Sequence, residues 1–199
     1  MLHLLSNMYL YPPSREALQS WKGALHGDIP DILVDLETAV DAIDFESKEQ
    51  LDDLLWDYTR LFIGPYKLPC PPWESVYTSR EKLLMQDAYV EVQAIYRKTG
   101  LTLNDEAVMS DHIGVELNFL GILHERVRAE TDGMDPCAVI ANSFLDEHLL
   151  KWVPQFTQDM ERAANSPLYK SLAEATGAAL RHARIPTGQT AMRAMGLRP

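Results

Sequence analysis

Residues 110–126, SDHIGVELNFLGILHER, bring together Asp111, His112, Glu116 and His124. On a helix, His112, Glu116 and His124 stand four and eight residues apart near one face. Two imidazoles and a carboxylate are ligands that zinc accepts. The spacing defeats a single ion, because a rise of 1.5 Å per residue puts the two histidines about 18 Å apart. His112 with Glu116 is only half a site. Di-iron bundles need Glu-x-x-His pairs on two helices, and no glutamate here has a histidine three residues later. GxSxG, HExxH and a phosphate-cradling glycine loop are also missing from the chain. The expectation is a protein with no metal, no cofactor and no catalytic residue. The enzymatic alternative is a helical hydrolase or ligand-binding enzyme using Asp111, His112 and Glu116. The plainer reading makes Asp111 a cap, its carboxylate accepting first-turn amides at a helix start. His112 is then either a partner-facing donor or a local hydrogen-bonder.

A second stretch, GPYKLPCPPWESVYTSREKLL at 64–84, has four prolines within eight residues, followed at once by Trp73. Such a loop inside a helical chain is functional or poorly ordered. Proline lowers the entropy lost when a partner is gripped, so a stiff loop can hold Trp73 and Tyr77 out as a platform. The competing reading tucks Trp73 onto a helix as a lid over the core.

The elements around these residues read as helices. Residues 47–63 put Leu51, Leu54, Leu55, Tyr58, Leu61 and Phe62 on one stripe. Ser47 with Gln50 makes a capping box, and Gly64-Pro65 stops the helix. Ser14 caps a helix to about Leu25, and residues 31–43 form another. Ser79 opens a long helix ending at Gly100, and Ser110 or Asp111 opens one to about Arg128. Asp135-Pro136 and Ser166-Pro167 each read as an N-cap followed by proline. Pro154 divides a helix ending near Trp152 from its successor. Val76–Thr78 is a weak strand candidate. The whole reads as one all-α helical bundle of about eight to ten helices over residues 1–182, with a flexible tail at 183–199.

Composition narrows the function classes. The net charge of −11 argues against nucleic acid, which needs a basic face. Residues 161–199 hold six Lys/Arg against two acids, whereas residues 1–160 hold twelve against 27. An acidic body attracts basic peptides or proteins at long range. Two cysteines, Cys70 and Cys137, make no disulfide framework and fit a reducing compartment. The start, MLHLLSNMYLYPP, is not a secretory signal, and no apolar run is long enough for membrane insertion. A cytoplasmic location is expected.

Four segments in order carry a resemblance: DYTRLFIGP at 57–65, LPCPPWESVY at 68–77, Asp111-His112-Ile113-Gly114, and FLDEHLLKWVPQF at 144–156. Together they resemble the TorD/DmsD/NarJ family of redox enzyme maturation proteins, from about Leu4 to Gly177. The resemblance implies an all-helical cytoplasmic chaperone rather than an enzyme. Its partners would be the twin-arginine signal peptide and the mature body of a molybdoenzyme catalytic subunit. It would delay export or membrane attachment until the cofactor is inserted. The positions it places at the peptide site are Pro72, Trp73, Ser75, Tyr77, Asp111, His112 and Glu116. Where the family commonly has Glu and Pro shortly before the Asp-His pair, this chain has Val108-Met109-Ser110. Its start is also short beside related chains. The first helix is therefore expected to be truncated or supplied by a neighbour, which invites a homodimer.

Overall fold

The computed structural model describes residues 1–65, 67–103, 108–129 and 136–187. Among these, ten α-helices follow one another: α1 Leu2–Leu10, α2 Arg15–Leu25, α3 Val34–Asp41, α4 Lys48–Phe62, α5 Glu74–Thr78, α6 Asp87–Lys98, α7 Ile113–Ala129, α8 Pro136–Phe144, α9 Leu150–Ala163 and α10 Pro167–Arg181. A 3-10 turn, Asp31–Leu33, leads into α3. The described residues contain no strand, so the all-α reading holds. The one β-like contact is an isolated bridge between Trp73 and His112.

Helix ends follow local chemistry. Ser14, Ser47 and Ser166 each accept the amide three residues on. The Ser47 box is half-built, because Gln50 reaches back to the Asp44 amide rather than to Ser47. Asp57 supports the start of α10 from a distance: its buried carboxylate accepts the Asn165 and Ser166 amides and pairs with Arg60.

Three expected boundaries moved. Val76–Thr78 lies in the short helix α5, not in a strand. Ser79 ends α5 instead of opening a long helix. Residues 79–86 are irregular, with Lys82 and Met85 at φ of 54° and 57°, and helix returns only at Asp87. Pro154 lies inside α9. The chain runs helically from Pro136 to Ala163 through a widened π turn at Leu145–Leu149. That turn comes immediately before Leu150, four residues ahead of Pro154, where the proline supplies no helical N–H and its ring crowds the Leu150 carbonyl. Asp135 and most of the expected tail lie outside the described residues. Of the tail, Ala183 is buried and Ile185 exchanges two hydrogen bonds with Asn142 of α8.

The core is one contiguous apolar cluster drawn from nearly every helix. Leu2, Leu5, Met8 and Tyr9 of α1 are buried in it, so this helix is covered within its own chain. It lies so close to α7 that a Cβ on Gly114 would sit 2.5 Å from Leu10 Cγ and 3.0 Å from the Ser6 carbonyl oxygen. Ser6 uses that proximity to donate to the Gly114 carbonyl at 2.6 Å. Tyr9, Tyr58, Phe62, Phe156 and Tyr169 pack edge-on or tilted around one another.

Candidate functional site

The proline-rich stretch ends by locking onto the start of α7. The Glu74 amide donates to the Asp111 carbonyl and the Ile113 amide donates to the Pro72 carbonyl, both at 2.9 Å. This two-bond bridge sets Trp73 against His112, with ring centroids 6.0 Å apart and edge-to-face. The loop is further tied by Cys70, whose buried thiol lies 3.7 Å from the Leu61 carbonyl. Burial pushes that thiol up to about 12.

Asp111 does not cap its own helix. Its Oδ2 accepts the Ser75 amide at 3.0 Å and also the Ser75 hydroxyl, so it fastens α5. Helix α7 begins at Ile113, two residues later than expected for an Asp111 start. The local cap is His112, whose Nδ1 accepts the Gly114 amide at 3.1 Å. Burial lowers the His112 pKa to about 4, which keeps the ring neutral and able to accept. Ser110, in the segment that departs from the family pattern, donates to the Tyr89 carbonyl, and Tyr96 donates to the Ser110 carbonyl. Helix α6 is thereby pinned to the same junction.

Beneath it lies a buried polar cluster. Glu74 pairs with His148 of the π turn at 2.9 Å, both almost wholly buried. Glu116 accepts the Trp152 indole N–H at 3.1 Å. Trp152 in turn packs against Tyr77 and Phe156. Among the described residues, Glu116 Oε1 and Asp111 Oδ1 have no hydrogen-bond partner. Burial, and then the neighbouring charge of Glu74, hold the Glu116 pKa well above the usual carboxylate range. Burial likewise raises Asp111, against the hydrogen bonds from Ser75.

The seven predicted positions therefore divide. Trp73 and His112 are half-buried and meet edge-on at the surface. Pro72, Ser75, Asp111 and Glu116 are buried, and Tyr77 is half-buried against Trp152 and Phe156. None of the seven lines the clefts of about 430, 420, 330 and 210 Å³ found among the described residues. Asp111, His112 and Glu116 serve three different partners, which leaves no shared point where a substrate atom or an ion would sit. Sequence reasoning missed Glu74, His148 and Trp152, although each stands within a quoted segment. The i, i+4 spacing of His148 and Trp152 was the available signal.

The chain's kinship follows from comparison with known proteins. The family described as nitrate reductase delta subunit matches residues 11–158. The chain belongs to that family. Three of the four segments that carry the resemblance meet at this junction, namely the clamped loop, the start of α7, and His148 with Trp152, while Asp57 and Arg60 of the first hold the start of α10. Among curated relatives, the chain is 31% identical over 118 residues to the Tat proofreading chaperone DmsD of Salmonella typhi, covering 59% of this chain and 53% of that protein. It is 26% identical over 147 residues to the chaperone protein TorD of Vibrio parahaemolyticus, covering 72% and 66%. The chain thus spans about half the length of the Salmonella relative. The crystal structure of a redox enzyme maturation protein from Archaeoglobus fulgidus superimposes with a TM-score of 0.64 over 90% of this chain and 91% of that one, at 24% identity. That likeness shows the fold.

The buried acid gives a pH-dependent prediction. A carboxyl whose folded pKa is raised binds its proton more tightly folded than unfolded. Its contribution is therefore present below the unfolded value of about 4.5 and is lost as pH rises toward the folded value. Glu116→Gln keeps an acceptor for Trp152 and removes the titration. It is expected to melt with the parent near pH 4.5 and a few degrees higher at pH 8. Thermal melts across that range check it; a variant that melts lower throughout would show that the carboxyl itself is required.

Proposed function

We propose that this chain is a cytoplasmic chaperone that binds the twin-arginine signal peptide, and the mature body, of a molybdoenzyme catalytic subunit. It supports cofactor insertion and delays export or membrane attachment, and it carries out no catalysis. The observation that carries this reading is how the chemical groups are used. The carboxylates of Glu74, Asp111 and Glu116 and the imidazole of His148, groups an enzyme would direct at a substrate, are buried and engaged with His148, Ser75, Trp152 and Glu74. What the clamp presents outward is an aromatic edge, Trp73 beside a neutral His112. Membership of a family whose relatives are named chaperones supports it. So does the absence, among the described residues, of any helix long and apolar enough to cross a membrane. In this reading Trp73 and His112 touch the peptide, while Pro72, Ser75, Tyr77, Asp111 and Glu116 hold them in place.

The test is titration of a synthetic twin-arginine signal peptide against the parent and Trp73→Ala. Removing an interface aromatic typically costs about 2 kcal/mol, roughly thirty-fold in affinity. The melting temperature should stay near the parent's, because the Trp73 ring is only half-buried. Equal affinity for both proteins would remove Trp73 from the site. A parent that binds no signal peptide from any molybdoenzyme would refute the chaperone reading.

A further inference from the structure

A twin-arginine peptide needs anionic partners, and the three acids that build the junction at Trp73 are not free to supply them. Glu74, Asp111 and Glu116 are buried and engaged with His148, Ser75 and Trp152. Unengaged carboxylates beside an apolar cleft occur instead on α4. Glu49, Asp52 and Asp53 are exposed there and form no side-chain hydrogen bond or ion pair among the described residues. Asp52 and Asp53 stand four and three residues before Trp56, so all three share a face. Trp56 is 60% exposed, an unusual state for the largest apolar side chain. Leu55 and Ile63 of the same segment are also exposed.

Trp56 stands between two clefts. One, of about 430 Å³, is walled by Ala42 and Ile43 after α3, by Asp53 and Leu54 of α4, and by Pro167 and Leu168 at the start of α10. Its volume is in the range of ligand-holding sites. The other, of about 330 Å³, has Gly64, Pro65 and Pro69 in its wall. The Trp56 surface therefore runs into the proline-rich stretch that ends at Trp73. Arg60 binds Asp57 and the Ala163 carbonyl and stacks on Trp56, and Lys22 pairs with Asp41, whereas Lys67 in the wall of the smaller cleft and Lys48, four residues before Asp52, are exposed and unpaired among the described residues. The larger cleft has Asp53 and Asp57 and no cation in its lining, so that side of Trp56 is acidic and apolar, which complements a basic and apolar segment. Acids in the first turn of α4 also suit the helix dipole. That accounts for Glu49 but not for a tryptophan left exposed between two clefts.

We propose that the cleft between α3, α4 and the start of α10 receives the apolar stretch of a twin-arginine signal peptide, with Trp56 as its wall and with Asp52 and Asp53 meeting the arginines. The proposal rests on the chaperone reading and extends its site from the proline-rich stretch onto α4.

A fluorescently labelled synthetic signal peptide is titrated against the parent, Trp56→Ala, Trp56→Phe, the Asp52→Asn/Asp53→Asn pair and Trp73→Ala, with melts alongside. Trp56→Ala is expected to bind about tenfold more weakly or worse with an unchanged melt, and Trp56→Phe to retain most of the affinity. The double asparagine variant is expected to lose affinity several-fold at low salt and to show a flatter salt dependence. A peptide with both arginines changed to glutamine should bind more weakly and no longer distinguish this variant from the parent. If Trp56→Ala and the asparagine pair bind as the parent does while Trp73→Ala binds worse, the chaperone reading stands and this proposal is wrong. A parent that binds no peptide overturns both. If Trp56→Ala only dissolves a dimer seen by light scattering, leaving peptide affinity intact, the cleft belongs to a second copy and the proposal is again wrong.

Discussion

Trp152→Ala is expected to lower stability by about 4 kcal/mol, the range for deleting a fully buried large aromatic. For a chain of this size that is a fall in melting temperature of roughly 8–16 °C. Trp152 is completely buried, and its ring fills the space between Tyr77 of α5 and Phe156 of α9. Its removal leaves a cavity and also strips the buried Glu116 carboxyl of its indole donor. Trp152→Phe separates the two effects. It keeps much of the volume and loses the donor, so it should cost about 1–3 kcal/mol, the range for a buried polar group left unpaired. Chemical denaturation of both variants measures this. If Trp152→Phe proves as damaging as Trp152→Ala, the hydrogen bond outweighs the packing and the order of effects argued here is wrong.

Local punctuation made much of the helical framework legible. Ser14, Ser47 and Ser166 cap where their side chains allow it, and the apolar stripe of α4 points inward at Leu54, Tyr58, Leu61 and Phe62. The misreadings share a cause: local rules were overridden by partners distant in sequence. Asp111 looks like a cap for α7 because the helix follows it. It turns instead to Ser75, 36 residues away, because two donors wait there. Pro154 looks like a breaker, but the chain stays helical through it with a π turn just upstream, and no periodicity announces an i→i+5 turn. Ser79 looks like a helix start, yet the apolar residues after it, Leu83, Leu84 and Met85, are exposed. The site is harder to read for the same reason. Glu74, His148 and Trp152 become one cluster only after α5, α7, the π turn and α9 have been packed, and a sequence shows the members without the distances. The resemblance located the junction because it compares whole segments, including residues whose work is internal.

Asp111→Ala tests whether that internal work sets the function. Its Oδ2 is the acceptor for both the amide and the hydroxyl of Ser75, the second residue of α5. Truncation leaves a buried amide without an acceptor and frees one side of the bridge between Trp73 and His112. A lost charge-assisted bond and an orphaned donor together cost about 3 kcal/mol, or roughly 6–12 °C in melting temperature. Asp111→Asn should cost far less. Its side-chain oxygen can still accept from Ser75, and it avoids burying a carboxyl whose second oxygen has no partner. The two variants predict a split that a surface role for Asp111 does not. Asp111→Asn should melt near the parent and bind signal peptide nearly as well, since the charge never faces the peptide. Asp111→Ala should lose peptide affinity even at temperatures where it stays folded, because Trp73 is no longer held. Trypsin should then cut faster at Lys67, an exposed residue of the proline-rich stretch. If Asp111→Asn instead loses binding while melting like the parent, the carboxylate reaches the peptide directly, and the clamp described here is not its main role.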